Sequence, residues 1–462
     1  MISLLDSKVL DANSECLGIG VDTLMDNAGR ALADLILEIY SGRKIVFVCG
    51  SGNNGGDGFS AANALTDVPF TVAILSEPKS PAAKRQYAKL SEKTVRFEDI
   101  DLTDYDIIVD CVLGTGIIGT PKEPYLGYID AVNGSKKIVI ACDVPSGFGT
   151  DTCIKPNITV TFHDVKEGMT PDNCGSIIIA DIGIPDDAMT FIGPGDMLRY
   201  PIPDRNGHKG QNGRLLVIGG GPYVGAPAMA AMAALRVGDD LVRIATPESC
   251  FIPIASMSPS FIMHKLPGEI LSKEDVPHLL ELSNETDAVL IGPGLGTDED
   301  TRNAVRNFVE KCKRPMVIDA DGINAIGSAK IDFQMPVVFT PHRMEMKKLL
   351  GCTGDEKMIA DFALKNKAVI VLKGATDVVT DGERTRKNIS GTSAMTVGGT
   401  GDALAGIIAG LLAKGMDPFD SGCVGTYICG KAGEKAFEEF SYGMTAPDLI
   451  DDIGRVLKDH IR

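Results

Sequence analysis

Hydrophobic residues occur along this chain in short continuous runs, and each run is followed by a stretch with helical spacing. In the first half we predict strands at residues 44–49, 71–75, 106–111, 137–142 and 157–162. Continuous valine and isoleucine runs are typical of strands covered on both faces, as in a parallel sheet. Helical patterns occupy residues 23–40 and the segment from Phe59. The pattern predicts a doubly wound α/β layer.

The pattern fails between residues 183 and 212, where prolines interrupt a segment with few periodic apolar positions. We place a domain boundary near Pro203, which gives domains of residues 1–203 and 204–462. A second α/β series follows this boundary. We predict its strands at residues 214–218, 241–245, 288–291, 316–319, 337–340 and 369–373, and its helices at residues 227–238, 300–311, 345–350 and 403–412.

Composition narrows the class of protein. A length of 462 residues indicates two or three domains. The formal charge of −17 argues against nucleic acid or an anionic membrane as the main partner. The eleven cysteines include no Cys-x-x-Cys pair, so we expect free thiols in a reducing cytosol. The N-terminus lacks a signal-peptide pattern, and the apolar segment 403–413 is too short to span a bilayer.

A glycine-rich turn follows the first predicted strand. Residues 50–58 contain five glycines, two asparagines and an aspartate, and an apolar helix comes next. Glycines let backbone N–H groups approach a ligand closely, and the helix N-terminus favours an anion. The segment is neither Gly-x-Gly-x-x-Gly nor a Walker A motif. A plain surface turn is the alternative, which the three polar residues disfavour.

Two later strands of the first half end in aspartates. Asp110 precedes a loop that begins Leu-Gly-Thr-Gly, and Asp143 begins the segment Asp-Val-Pro-Ser-Gly. Ligands of open α/β sheets bind outside the carboxyl ends of the strands. Either aspartate alone would more often be a helix cap. Together with the glycine-rich turn, they indicate one ligand site at this edge.

The segment Gly398-Gly399-Thr400-Gly401-Asp402 is the most informative motif of the second half. Its aspartate lies where a strongly apolar helix begins, after glycines whose free amides can form an anion hole. A carboxylate there can accept a proton from a hydroxyl while the amides hold the phosphoryl group that the hydroxyl attacks. An ordinary aspartate cap is the alternative. The preceding glycines favour a phosphate site.

These motifs together resemble a known family. Asn-Asn-Gly-Gly-Asp at 53–57, the Leu-Gly-Thr-Gly loop and Asp-Val-Pro-Ser-Gly at 143–147 are similar to the epimerase domain of the NAD(P)H-hydrate repair enzymes. The second-half motifs at 292–296, 319–321, 340–342, 372–376 and 398–402 resemble the ribokinase-like dehydratase domain of the same family. The resemblance implies an N-terminal Rossmann-like three-layer domain followed by a ribokinase-like α/β domain.

The family implies that the first domain epimerises the R and S forms of hydrated NADH and NADPH. Asp143 would act at the hydrated nicotinamide ring. The residues that would bind the dinucleotide are Asn53, Asn54, Gly55, Gly56, Asp57, Gly114, Thr115, Gly116, Ile117, Ile118, Gly119, Thr120 and Asp143. A potassium ion would be held by Asn54, Asp110 and Ser146, whose hard oxygen atoms suit such a cation.

The family implies that the second domain dehydrates the S form with ADP or ATP and Mg²⁺. Asp402 would deprotonate the C6 hydroxyl as it attacks the terminal phosphate, and the ring nitrogen would then expel phosphate. The residues that would contact the hydrated dinucleotide are Ala226, Gly294, His342 and Asp402. The nucleotide site would comprise Lys373, Gly374, Ala375, Thr376, Asp377 and Gly401.

Two segments depart from the family pattern, and three alternative functions stay open. His163-Asp164 stands where the family has small residues. His342-Arg343-Met344-Glu345 stands where the family has His-Pro-Gly-Glu. A ribokinase-like vitamin or sugar kinase would use the same phosphate chemistry, a non-catalytic dinucleotide sensor would only bind, and the dehydratase half alone could be active. We expect a cytoplasmic homo-oligomer that binds small molecules and neither nucleic acid nor membranes.

Overall fold

The computed structural model describes residues 1–39, 41–66, 68–90, 93–116 and 119–461. They form two compact units, Met1–Ala188 and Met189–Arg462. The predicted boundary at Pro203 lies within the second unit. The proline-rich segment is held there by its own hydrogen bonds: Ile192 N donates to Lys387 O at 2.8 Å, and Tyr200 Oη to Val237 O at 2.7 Å.

The first unit contains a parallel sheet with the strand order β3-β2-β1-β4-β5-β6-β7. Its strands are β1 (Ile45–Cys49), β2 (Phe70–Ile74), β3 (Thr94–Arg96), β4 (Ile107–Cys111), β5 (Ile138–Cys142), β6 (Ile158–Phe162) and β7 (Ser176–Ala180). Its helices are α1 (Leu4–Cys16), α2 (Val21–Ile39), α3 (Asn53–Ala64), α4 (Pro81–Ala88), α5 (Tyr125–Gly134) and α6 (Pro171–Cys174), with α7 (Asp186–Thr190) at the division between the units. Short 3₁₀ helices cover Phe97–Asp99 and Leu102–Asp104.

The five strands predicted in the first half are confirmed, whereas β3, β7 and α1 were not predicted. β7 is an edge strand, and it was not predicted although residues 177–180 form a short continuous apolar run, which is largely exposed. Apolar clusters cover both faces of the sheet. One contains Leu32, Phe47 and Phe59, and the other contains Val46, Ile108 and Tyr128. The predicted three-layer α/β arrangement is therefore confirmed.

Helix α3 begins at Asn53, earlier than the start predicted at Phe59. Its glycines are needed for packing rather than for a flexible loop. A Cβ atom on Gly55 would lie 2.1 Å from Gly50 O, and one on Gly58 would lie 2.6 Å from Cys111 Cβ. The close approach of this helix to the sheet overrides the low helix propensity of glycine. The helix N-terminus, with Asn53 and Asn54, consequently lies directly after β1.

The second unit contains a nine-stranded sheet with the order β10-β9-β8-β11-β12-β13-β14-β15-β16. Its strands are β8 (Arg214–Ile218), β9 (Leu241–Pro247), β10 (Ile262–Leu266), β11 (Ala288–Ile291), β12 (Met316–Ile318), β13 (Val337–Phe339), β14 (Ala368–Leu372), β15 (Asp377–Thr380) and β16 (Thr385–Asn388). Strands β8 to β14 pair in parallel, and β14, β15 and β16 pair antiparallel. All six predicted strands are confirmed, while β10, β15 and β16 were not predicted.

The helices of the second unit cover both faces of its sheet. They are α8 (Gly225–Arg236), α9 (Glu248–Ala255), α10 (Val276–Asn284), α11 (Glu299–Lys311), α12 (Ala320–Ile326), α13 (Arg343–Leu350), α14 (Glu356–Asn366), α15 (Thr400–Ala413), α16 (Pro418–Phe440) and α17 (Ala446–His460). Short 3₁₀ helices cover Pro194–Arg199, Lys273–Asp275, Ser393–Met395 and Ser441–Gly443. The four predicted helices correspond to α8, α11, α13 and α15.

Helix α15 is the buried element that positions the candidate phosphate site. Residues 403–413 are all buried, and the helix packs directly on α8. A Cβ atom on Gly406 would lie 2.1 Å from Ala230 O, so only glycine permits this distance between the two helices. Within the described parts of the chain, no helix is both long and apolar enough to cross a membrane.

Candidate active sites of the two units

A cavity of about 540 Å³ lies beside the carboxyl ends of β1, β4 and β5 in the first unit. The predicted residues Asn53, Asn54, Asp57 and Asp143 line it. Its other lining residues include Gly114, Thr115, Gly116, Ser7, Lys8, Asp11, Leu24, Met25 and Phe162. The structure thus brings the glycine-rich turn, the Leu-Gly-Thr-Gly loop and Asp143 to one place.

Asp143 follows β5 in a left-handed conformation, with φ of 62°. Its carboxylate accepts from Lys166 Nζ at 2.5 Å and from Phe162 N at 3.2 Å. Lys166 is fully buried, and its ammonium group also donates to Thr161 Oγ1 and Phe162 O. A buried ammonium that touches a carboxylate stabilises the ionised carboxylate. The geometry therefore fixes the Asp143 side chain as a hydrogen-bond acceptor at the cavity wall.

Two further carboxyl groups face the same cavity. Burial, and then the negative charge of Asp143, raise the pKa of Asp11 to about 6. Burial likewise raises the pKa of Asp57 well above its usual range, with contributions from Asp143 and Asp11. Lys166 opposes both shifts. The cavity therefore combines one carboxylate paired with a cation and two carboxyl groups that retain protons more readily.

The three residues predicted to hold potassium lie close together beside this cavity. Asp110 accepts from Ser146 N at 2.8 Å and from Ser146 Oγ at 2.6 Å, as well as from Tyr128 Oη at 3.0 Å. Asn54 Nδ2 donates to Cys142 O at 2.7 Å, whereas its Oδ1 is buried with no hydrogen-bond partner. A buried amide oxygen without a donor is the vacant lone pair that a cation would use. These oxygen donors fit a hard cation, and its assignment as potassium stays a prediction.

The remaining residues predicted for the first site divide into three groups. Gly55 and Gly56 are buried within α3, where they allow close packing. Gly119 and Thr120 are exposed. Ile117 and Ile118 lie outside the described residues. Their proposed contacts with the dinucleotide stay predictions.

In the second unit, the predicted phosphate motif forms the N-terminus of α15. Gly399 caps the helix in a left-handed conformation with φ of 101°, and a Cβ atom there would lie 2.3 Å from Met229 Sδ. Asp402 is the third residue of the helix. A Cβ atom on Gly401 would lie 3.5 Å from Lys373 Nζ, so the lysine ammonium lies beside the first-turn amides. Free amides and this cation favour an anion at the same point.

Burial raises the pKa of Asp402 to about 7. The negative charge of Asp319 adds to the effect, Lys373 opposes it, and Asp321 and Glu345 contribute smaller increases. A carboxylate with a pKa near neutrality is well matched to work as a general base. The N-terminus of α15 therefore combines an anion hole with a base.

Asp319 holds the lysine of this site in place. Its Oδ1 accepts from Lys373 Nζ at 2.9 Å and from Thr340 Oγ1 at 2.7 Å, and the residue is almost completely buried. Burial alone would lower the pKa of Lys373, but the charges of Asp319 and Glu345 outweigh it and raise that pKa. Lys373 therefore remains an ammonium ion.

His342 lies next to Lys373 and caps α13. Lys373 N donates to Pro341 O at 2.8 Å, which joins the two segments in a short parallel bridge. His342 Nδ1 accepts from the amides of Met344 and Glu345, so a neutral ring carries its proton on Nε2. Glu345 completes the capping box by accepting from His342 N at 2.8 Å. The helix start is thus preserved although Arg-Met replaces the family's Pro-Gly.

The other predicted nucleotide residues form the turn between β14 and β15. Gly374 N donates to Asp377 Oδ1 at 3.0 Å, and Asn388 Nδ2 donates to Asp377 Oδ2 at 3.1 Å. Burial raises the pKa of Asp377, and these hydrogen bonds oppose the shift. The Asp377 side chain therefore closes the turn, while Ala375 and Thr376 are exposed at its tip.

Ala226 and Gly294 lie in adjacent segments after β8 and β11. Ala226 is the second residue of α8. Gly294 has φ of 69°, and a Cβ atom there would lie 2.3 Å from Tyr223 O, so the two loops approach too closely for any side chain. Asp321 fixes the Gly294 loop by accepting from Gly296 N at 2.8 Å. Direct contact of these residues with a substrate stays a prediction.

Asp11, Asp319 and Asp321 were absent from the predicted site residues. Asp11 lies on α1, whose apolar pattern is weak, and nothing in its local sequence signals a ligand. Asp319 and Asp321 belonged to a noted motif, but their functions depend on Lys373 and Gly296, which are distant in sequence. A buried aspartate at a strand end was the available signal, and it is shared with ordinary caps.

Two family models match separate parts of the chain. The model described as NAD(P)H-hydrate dehydratase matches residues 215–455, and the model described as YjeF-related protein N-terminus matches residues 21–168. A solved ADP/ATP-dependent NAD(P)H-hydrate dehydratase from Bacillus subtilis, co-crystallised with ATP and Mg²⁺, is 27% identical with a TM-score of 0.51. The match covers 59% of this chain and 99% of the Bacillus subtilis chain. The predicted ribokinase-like fold of the second unit is thereby confirmed.

Full-length relatives cover both matched regions. A bifunctional NAD(P)H-hydrate repair enzyme of Hyperthermus butylicus is 39% identical over 100% of this chain and 93% of its own length. One of Methanothermobacter thermautotrophicus is 37% identical over 98% of this chain and 94% of its own. On these matches, the chain belongs to the family of bifunctional NAD(P)H-hydrate repair enzymes.

Proposed function

We propose that this protein repairs hydrated NADH and NADPH through two reactions. The first unit interconverts the R and S hydrates, and the second dehydrates the S hydrate at the expense of ADP or ATP. The observation that carries the proposal is Asp402, a carboxyl group with a pKa of about 7 at a helix N-terminus beside the Lys373 ammonium. Family membership supplies the substrate class.

In the proposed dehydration, Asp402 takes the proton of the C6 hydroxyl as its oxygen attacks the terminal phosphorus of the nucleotide. The first-turn amides of α15 and Lys373 stabilise the negative charge that develops on the phosphoryl oxygens. The phosphorylated C6 oxygen is then a good leaving group, and electrons from the ring nitrogen expel it as phosphate. Loss of a C5 proton restores the dihydropyridine, with AMP and phosphate as the other products when ADP is the donor.

Mg²⁺ fits the acidic character of this site. The charges of Asp319, Asp321 and Glu345 act on Asp402 there, and hard carboxylate oxygens suit this cation. When bound with the nucleotide, Mg²⁺ would neutralise phosphate charge. The backbone of residues 374–376 and Gly401 would contact the nucleotide, while His342, Ala226 and Gly294 would contact the hydrated dinucleotide.

In the proposed epimerisation, Asp143 acts at the hydrated ring within the cavity of the first unit. Lys166 Nζ holds its carboxylate in position, and we assign Asp143 the role of proton acceptor. Asn54, Asp110 and Ser146 would hold a potassium ion, for which the unpartnered Asn54 Oδ1 provides support. The residues of 53–57 and 114–120 would bind the dinucleotide. We also propose a cytoplasmic location and a homo-oligomeric state.

The test is to incubate the protein with separated R and S hydrates of NADPH, with ADP or ATP and Mg²⁺. We expect recovery of NADPH absorbance with one phosphate released for each NADPH formed. Asp402→Asn should reduce S-hydrate dehydration by about 10²-fold or more, because the base is lost. A product that retains the phosphate would instead indicate a small-molecule kinase, and binding without turnover would indicate a sensor.

A further inference from the structure

Asp11 lines the cavity of the first unit. It lies before residue 21, where the match to the YjeF-related family model begins. It is partly buried in α1 and shares the cavity wall with Asp57 and Asp143. Neither the predicted site residues nor the potassium set includes it.

Helix α1 is fixed next to the segment that carries Lys166. Ile2 N donates to Val165 O at 2.9 Å, and Glu167 N donates to Ile2 O at 2.9 Å, so the chain before α1 pairs in parallel with residues 165–167. A capping box between Ser3 and Asp6 starts the helix immediately afterwards. The backbone that positions Lys166 therefore also positions Asp11.

Asp11 and Asp143 are in different electrostatic situations. The Lys166 ammonium donates to Asp143, Thr161 Oγ1 and Phe162 O, so its hydrogen bonds are fully used. No donor from the described residues contacts the Asp11 carboxyl. The charged groups that face it are Asp143, Asp57, Lys166 and, at the cavity wall, Lys8. A cavity with one carboxyl group paired with an ammonium ion and a second one without a donor can supply the acceptor and the donor that acid–base catalysis requires.

We propose that Asp11 is a second catalytic carboxyl group of the epimerase reaction and donates a proton to the C6 hydroxyl of the hydrated nicotinamide ring. This inference rests on the proposed epimerase function. The proton of Asp11 passes to the hydroxyl oxygen, the C6–O bond breaks, and the lone pair of N1 forms the N1–C6 double bond. Water then adds to C6 from the opposite face and gives a proton to Asp143, while N1 recovers its lone pair. Proton exchange with solvent restores both carboxyl groups.

Asp11→Asn tests the proposal because it removes the proton donor with almost no change in shape. We expect the enzyme-catalysed rate of R-to-S interconversion, after subtraction of the spontaneous rate, to fall by about 10²-fold or more. Chromatographic separation of the epimers, in reactions without nucleotide, measures this rate. For the wild type, kcat/KM should fall as pH rises through about 6, because the acid loses its proton. The variant should lack this descending limb. Glu15→Gln, an exposed carboxyl group on the same helix, is the matched control.

Two further measurements separate catalysis from folding. Asp11→Asn should dehydrate S hydrate at the wild-type rate, since Asp402 lies in the other unit. Asp11→Glu keeps an acid and should recover part of the epimerase activity together with the pH limb. Epimerisation by Asp11→Asn within threefold of wild type, or an unchanged pH limb, would overturn the proposal. If the wild type itself does not accelerate epimerisation, the proposed function of the first unit is wrong.

Discussion

The protonation of Asp402 controls the proposed dehydration. Burial raises its pKa to about 7, and the nearby carboxylate of Asp319 is the next largest cause. General-base catalysis requires the ionised form, so acid inhibits the reaction. Lys373 remains charged over the same pH range because Asp319 is its ion-pair partner. At the residue scale, buried Asp319 thus raises the pKa of the base, Asp402, and that of the neighbouring Lys373 ammonium.

We predict that kcat/KM for S-hydrate dehydration rises with pH and levels off above about 7, as Asp402 loses its proton. Asp319→Asn should move this rising limb to lower pH, because it removes a negative charge and frees Lys373 to stabilise ionised Asp402. It should also raise the KM for nucleotide, since the lysine loses its anchor. Steady-state pH profiles provide the measurement, with exposed Asp300→Asn as control. If the rising limb of the pH profile does not shift in Asp319→Asn, the assignment of Asp402 as the titrating base is contradicted.

At the element scale, glycines determine how closely helices approach their neighbours. Gly406 brings α15 against α8, and Gly58 brings α3 against β1 and β4. These contacts place the N-termini of α15 and α3, where the two candidate sites lie. Elsewhere a helical glycine has no such contact: a Cβ atom on Gly454 in α17 would meet nothing within 4 Å.

Gly406→Ala should destabilise the second unit by about 1–3 kcal/mol, because its Cβ atom would overlap Ala230 O and force the helices apart. Gly454→Ala is the matched control and should stabilise by about 0.5–1 kcal/mol through helix propensity alone. Urea unfolding followed by circular dichroism measures both. Equal effects of the two substitutions would refute the packing argument. Dehydratase activity should fall only in Gly406→Ala.

At the scale of the whole molecule, two activities occur in a chain of strongly negative charge. Anionic dinucleotides and nucleotides must therefore be held by local groups such as helix N-terminal amides and Lys373 rather than by the overall field. Each unit contains its own carboxyl groups and its own core. The reactions are therefore expected to be separable by mutation.

Asp143→Ala should leave S-hydrate repair intact, while R hydrate is consumed only at its spontaneous epimerisation rate. Asp402→Asn should still interconvert the epimers. Mixing the two variants should restore R-hydrate repair, because the S epimer can diffuse from one molecule to another. Absorbance at the NADPH band follows each case. Rapid clearance of R hydrate by Asp143→Ala alone would show that Asp143 is not the epimerase residue.

The sequence by itself determined the α/β class, most strands and the identity of the main motifs. Continuous apolar runs such as 214–218 and 288–291 predict buried strands because both of their faces must be covered. Glycine-rich turns with Asn54 or Asp402 predict ligand sites because their chemistry is local. The edge strand β16 was missed because its sequence, Thr-Arg-Lys-Asn, carries no apolar run, whereas β7 was missed although residues 177–180 are apolar.

Only the tertiary structure decided which groups act on one another. Asp11 enters the first cavity because the chain before α1 pairs with the segment of Lys166, a contact between residues more than 150 positions apart. Asp319 meets Lys373 because β12, β13 and β14 are adjacent in the sheet. A pKa depends on burial and on neighbouring charge, and both are produced by folding. Short sequence motifs therefore identify the residue types of the two sites, whereas the protonation and the positions of those residues depend on the fold.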